Sequence, residues 1–105
     1  MKAILFLISI TQATLLFSQG GSPQKISYSL IPSVNNTFGY EIFVNGQKFI
    51  SQRSIPCLQG NNGFVQKTQA ESVAKLVITK ITEGQMPPSV TIDELEKLKA
   101  IPQNL

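Results

Sequence analysis

The sequence predicts an α+β fold: a three-stranded antiparallel meander followed by one long and one short helix, packed on one face in two layers. Three observations carry this expectation. Apolar and polar residues alternate with period 2 through 26–32 and again through 40–50. An Asn45-Gly46 pair interrupts the second alternation. From Thr68 onward the apolar residues change to helical spacing.

In ISYSLIP, Ile26, Tyr28 and Leu30 fall on one side and Ser27 and Ser29 on the other. That is the pattern of a half-buried strand, and Pro32 is expected to end it. SVNNTFG reads as a loop by composition. In YEIFVNGQKFI, Asn45-Gly46 suits a two-residue type I′ turn, which needs positive φ at both central positions. Closing the hairpin there pairs Val44 with Gln47 and Ile42 with Phe49. Tyr40, Ile42, Val44 and Phe49 then share the expected core face, and Phe43 lies opposite Lys48 on the outer face.

The long helix shows Ala70, Val73, Ala74, Val77, Ile78 and Ile81 on one stripe. Thr68 and Glu71 have the spacing of a capping box, Gly84 is a C-terminal stop, and Pro87-Pro88 prevents continuation. The short helix starts at Thr91, with Glu94 reaching back and Val90 and Leu95 as a hydrophobic staple. Ile92, Leu95 and Leu98 are expected inward, and the helix is expected to end near Pro102.

The first twenty residues read differently. Lys2 precedes an apolar stretch from Ala3 to Phe17, and small and polar residues follow. This is the three-part pattern of a secretory signal peptide. The apolar stretch is interrupted by Ser9, Thr11, Gln12 and Thr14, and is shorter than the roughly 20 residues a spanning helix needs. The expected organisation is therefore a signal peptide over 1–20, cut after Ser18 or Gly20, and one small domain over 21–105, ordered from about 25 to 101. No cysteine follows the apolar stretch to take a lipid, so no membrane anchor is expected after cleavage. The mature product is expected in the periplasm or outside the cell.

Charge adds little. Nine basic residues against six acids give +3, and loss of Lys2 lowers this to +2. The basic residues are scattered rather than gathered in the stripe of a nucleic-acid binder, so no nucleic-acid partner is expected.

The chain has one cysteine and no histidine. A reactive thiol needs an adjacent base, a cation or a helix N-terminus, and Cys57 has no strong candidate nearby in sequence. Its first reading is a small apolar side chain in the core. An unpaired cysteine in an exported protein also allows a disulfide-linked partner, and a catalytic role comes last. The usual zinc and iron ligand sets cannot be built, so no cofactor or metal is expected. Among the acids, Glu71, Asp93, Glu94 and Glu96 have structural explanations at helix starts, leaving Glu41 and Glu83 far apart in sequence. GNNGF lacks the fuller pattern of a phosphate loop and reads as a turn.

One pattern is more particular. GYEI, NG, ISQRSIP, G-x-x-GF, A-x-x-x-A, K-I-x-x-G, a proline and T-I-x-EL follow in order from Gly39 to about Leu98. This series resembles a family of small exported proteins of Bacteroidetes-type bacteria, domain of unknown function 4907. The resemblance implies export, small size and a single domain. It implies no activity, ligand or catalytic residue, and it implies a small residue such as alanine where Cys57 stands.

The expected function is an exported, non-catalytic binding or interaction module whose partner is a protein or a cell-envelope component. The polar connection after the sheet is its expected contact, through Arg53, Ser54, Gln59, Asn61 and Asn62, together with an exposed sheet edge. The alternatives are a small hydrolase or thiol-dependent enzyme, and a structural component or inhibitor within an envelope complex.

Overall fold

A computed structural model describes residues 24–102; the signal peptide expected over 1–20 lies outside the described residues. Three strands, β1 (Ile26–Ser33), β2 (Thr37–Val44) and β3 (Gln47–Gln52), form one antiparallel sheet in the order β1-β2-β3. Two helices follow, α1 (Lys67–Thr82) and α2 (Ile92–Lys97). The α+β meander-and-helices arrangement is the one expected.

Both hairpins turn on paired positive φ angles. Asn45 and Gly46 have φ of 52° and 83°, as a type I′ turn requires. The Asn45 side chain also accepts the Lys25 N–H at 2.9 Å. Asn35 and Asn36, read as part of a loose loop, have φ of 57° and 60°, and Thr37 N–H donates to Val34 O at 3.2 Å. A second tight hairpin therefore joins β1 to β2. Asparagine tolerates the left-handed region, so Asn-Asn substitutes for Asn-Gly. Strand β1 consequently continues past Pro32 to Ser33, which an edge strand permits because its outward groups need no partner.

The register of β1 on β2 is regular, with Tyr28 opposite Ile42 and Leu30 opposite Tyr40. The register of β3 differs from the simple closure expected. Ile42 faces Ile50 while Phe43 faces Lys48, so Phe49 is the extra residue of a β-bulge. Phe49 leaves the core face and is 47% exposed.

Helix α1 packs on β1 and β2 and buries Ala70, Val73, Ala74, Val77 and Ile81, while Ile78 is only half-buried. Its start lies two residues before the expected cap. Gln66 is the N-cap, and its N–H donates to Gln69 Oε1 at 3.0 Å. Glu71 instead lies a turn inside the helix, where it accepts the Tyr28 hydroxyl at 2.6 Å and pairs with Lys75 at 3.6 Å. At the other end Gly84 N–H donates to Ile81 O at 3.0 Å and Gln85 N–H to Lys80 O at 2.9 Å, which is a Schellman motif.

Helix α2 begins as expected, with Thr91 and Glu94 capping each other reciprocally. It is shorter than expected, because Lys99 adopts φ of 58° and closes a second Schellman pattern through Ala100 N–H to Leu95 O at 2.9 Å. Leu95 is fully buried and Val90 nearly so, but Ile92 points outward at 42% exposure. Ile92 and Leu95 share a helix face, but Ile92 is the first helical residue and stands at the exposed end beside the Thr91 cap.

The core joins Tyr40, Ile42, Phe64, Leu95, Ile101 and the buried stripe of α1. Phe64 enters it because the chain returns to the sheet after β3. Phe38 and Phe64 exchange backbone hydrogen bonds at 2.8 and 2.7 Å. Burying a phenylalanine of this kind contributes about 2–3 kcal/mol.

Candidate functional site

The connection between β3 and α1 is ordered by its own backbone. Ile55 N–H donates to Asn62 O at 3.1 Å, closing residues 55–62 into a compact loop of the Ω type. Gly63 then passes between two carbonyls. A Cβ there would collide with Phe38 O and lie 2.8 Å from Arg53 O.

The expected contact residues separate into two groups. Arg53 and Asn62 serve the fold: Arg53 Nη1 donates to Pro32 O at 3.3 Å, Arg53 O accepts Ser33 Oγ at 2.9 Å, and Asn62 Oδ1 accepts Asn35 Nδ2 at 2.8 Å. Ser54 O accepts the Gln52 side chain at 2.7 Å. Gln59 and Asn61 remain exposed near the loop tip.

Cys57 departs from its first reading. It is exposed rather than in the core, has φ of 72°, and turns its thiol to donate to Val90 O at 2.7 Å. The tight loop holds its backbone in the left-handed region and carries the residue above the core. Apolar character alone did not bury it.

That thiol stands on the wall of a groove of about 640 Å³. The sheet supplies Tyr40, Phe49, Ile50 and Gln52, the loop supplies Pro56 and Cys57, and α1 supplies Val77. The opposite wall is the connection from Met86 to Val90, containing a cis Met86-Pro87 bond. This volume lies within the usual 300–1,000 Å³ of small-ligand sites, and the lining is mostly apolar with a few polar groups. The bulge at Phe49 and the Pro-Pro connection leave Phe49 and Met86 exposed, at 47% and 58%.

Tyr40 is the unusual member. The residue is 2% exposed, and no hydrogen-bond partner for its hydroxyl occurs among the described residues. Burial pushes its phenol up to about 12, so the hydroxyl keeps its proton and acts as a donor. Two other polar groups of the lining are engaged, Gln52 with Ser54 O and the Cys57 thiol with Val90 O, and Ser89 is exposed. A second hollow of about 520 Å³, among Ile55, Leu58, Val65 and Ile101, contains no comparable buried hydroxyl.

Three of the six acids are occupied structurally. Lys48 and then Ser51 hold Glu41 below the usual carboxylate range, the Tyr28 hydroxyl does so for Glu71, and Lys80 does so for Glu94. The same contact raises the Tyr28 phenol. None of these three carboxyls is raised toward the range of a general acid at neutral pH. Among the described residues no three metal-binding side chains gather, and no helix is long and apolar enough to cross a membrane.

The sequence points to Arg53, Ser54, Gln59, Asn61 and Asn62 as contacts and carries little sign of the groove. The only sequence signal was apolar Met86-Pro87-Pro88 in a connection otherwise polar enough to read as a helix stop. Residues 31–97 match the family model described as a domain of unknown function (DUF4907). No curated protein and no solved structure matches the chain.

Proposed function

Because the chain belongs to the DUF4907 family, to which no activity is attached, we propose a function from the site: an exported, non-catalytic binding module whose ligand enters the groove between β3 and the 86–90 connection. The observation that carries this reading is the groove, with the buried Tyr40, whose hydroxyl has no partner among the described residues, in its lining. The carboxylates held low and already partnered, and the absence of histidine, favour binding over acid–base or thiol catalysis. The leader-like first twenty residues support export into the periplasm or the medium.

Nile red, an uncharged dye whose emission rises in apolar surroundings, tests the groove. Its fluorescence should rise with the wild-type protein and fall strongly with a Phe49→Asp, Met86→Asp double variant, both positions being exposed lining. Gln59→Asp at the loop tip should leave it unchanged. Equal dye response in all three proteins would remove the groove from the reading. Export is tested by the intact mass of protein from its native cells, which should begin at Gln19 or Gly21.

Cys57 on the groove wall favours a second reading, in which a partner thiol is joined to it in an oxidising compartment. A doubled or adduct mass under non-reducing conditions would support this, and a free-thiol monomer would exclude it from the isolated state.

A further inference from the structure

The groove also constrains what it holds, and this step rests on the reading above. We infer that its ligand is an uncharged, largely apolar molecule that presents a carbonyl-type hydrogen-bond acceptor to the Tyr40 hydroxyl. Three observations converge on that chemistry.

First, no charged side chain lines the groove. The nearby ammonium groups are already committed, Lys80 to Glu94 at 2.7 Å and Lys48 to Glu41 at 3.1 Å. A charged ligand group entering the groove would lose water and gain no counter-charge, which is strongly unfavourable.

Second, the donors in the lining are unequal. Gln52 and Cys57 already donate to protein carbonyls, and Ser89 is exposed to water at the rim. Tyr40 alone is both buried and without a partner among the described residues. Buried donors are nearly always paired, with protein, ordered water or a ligand, so among the lining donors this hydroxyl is the one open to an acceptor that a ligand brings. A phenol that holds its proton throughout the physiological range serves a neutral acceptor at every such pH.

Third, the surroundings fit the remainder of such a molecule. Phe49, Ile50, Val77, Met86 and Val90 offer apolar contact on both walls, and the volume of about 640 Å³ accommodates a medium-length chain or a small ring system.

The test compares 2-nonanone with nonanoate, each displacing Nile red from the protein at pH 7. The two share chain length and differ in charge. The ketone should compete at a concentration at least about tenfold lower than the carboxylate, since the carboxylate loses water and finds no counter-charge in the lining. Tyr40→Phe should weaken the ketone roughly 3- to 10-fold, the size of one hydrogen bond. The infrared carbonyl band of bound ketone should lie at lower frequency in the wild type than in Tyr40→Phe. That difference would not arise if Tyr40 only supported the fold.

Equal competition by nonanoate would overturn the inference, as would a ketone affinity and carbonyl band indifferent to Tyr40→Phe. In either case the groove would still stand as the site if dye binding were lost in the Phe49→Asp, Met86→Asp protein. Dye binding insensitive to that double variant would remove both readings together.

Discussion

Glu94 receives the Lys80 ammonium at 2.7 Å on the same Oε1 that accepts the Thr91 N–H at 3.0 Å. One carboxylate thus caps α2 and ties it to α1. Lys80 is the less exposed partner, at 12% of its side chain against 32% for Glu94. This contact fixes the connection between the helices, and that connection is one wall of the groove.

Loss of this carboxylate's charge should loosen the second helix. Glu94→Gln keeps an oxygen for the cap and removes the ion pair, whereas Thr91→Ala removes half of the capping box, at a cost of about 1 kcal/mol. The folded-state pKa of Glu94 is lowered, first by Lys80, so its stabilisation is present above the ordinary value of 4.5 and lost as pH falls through the folded value. Glu41 and Glu71 are lowered too and act in the same direction. Urea midpoints measured from pH 7 to pH 3 should decline, with a shallower decline in Glu94→Gln. Parallel curves for the two proteins would count against the contact.

Tyr40→Phe should stabilise the unliganded protein. It removes a buried hydroxyl that has no partner among the described residues, and relief of such a group is worth about 1 kcal/mol or somewhat more. The alkaline behaviour gives a second reading of the same residue. Tyr40 is raised from 10.0 to about 12 by burial, so the unfolded chain releases its proton first. Ionising the buried phenol is disfavoured, so stability is level below pH 10 and falls as pH rises through about 12, by about 3 kcal/mol at 1.36 kcal/mol per pH unit. Thermal unfolding between pH 9 and pH 12 should show this slope reduced in Tyr40→Phe. Tyr28, raised through Glu71, supplies a residual slope.

Gly63→Ala should be among the more damaging single changes in the loop. The added methyl meets the Phe38 and Arg53 carbonyls, which belong to backbone and cannot swing aside. Crowding of this kind costs about 1–3 kcal/mol, and the Phe38–Phe64 hydrogen bonds lie directly beside it. A chemical-denaturation midpoint equal to that of the wild type would show that the loop tolerates displacement there.

Cys57 should react with iodoacetamide in the folded protein, because the residue is exposed. A bulky maleimide adduct should also exclude Nile red, since the thiol stands on the groove wall. Mass spectrometry of the native protein after brief labelling measures the first outcome. A thiol labelled only after unfolding would return Cys57 to the interior.

Much of the architecture was legible because local rules and tertiary contacts agree. The Asn45-Gly46 turn, the reciprocal cap of Thr91 and Glu94, and the stripe from Ala70 to Ile81 each follow from backbone conformation or helical period alone. The misreadings occur where two local signals compete. Thr68 and Glu71 have capping spacing, but Gln66 starts the helix and Glu71 goes to Tyr28 across the sheet. Phe49 alternates correctly for the core, but a bulge takes it out of register.

By itself, then, the sequence determined the order of elements, the turn beside Gly46, the helix starts and stops to within a few residues, and the absence of histidine chemistry. Only the tertiary structure decided that Cys57 is exposed, that Phe49 and Met86 border a groove, and that Tyr40 carries a buried hydroxyl without a partner among the described residues. The physical reason is range. Turns and caps are settled by hydrogen bonds within a few residues, and periodicity reports which side of an element faces inward. A groove depends on how closely segments distant in sequence approach, and the space left between Ile50 and Val90 is written in neither segment alone.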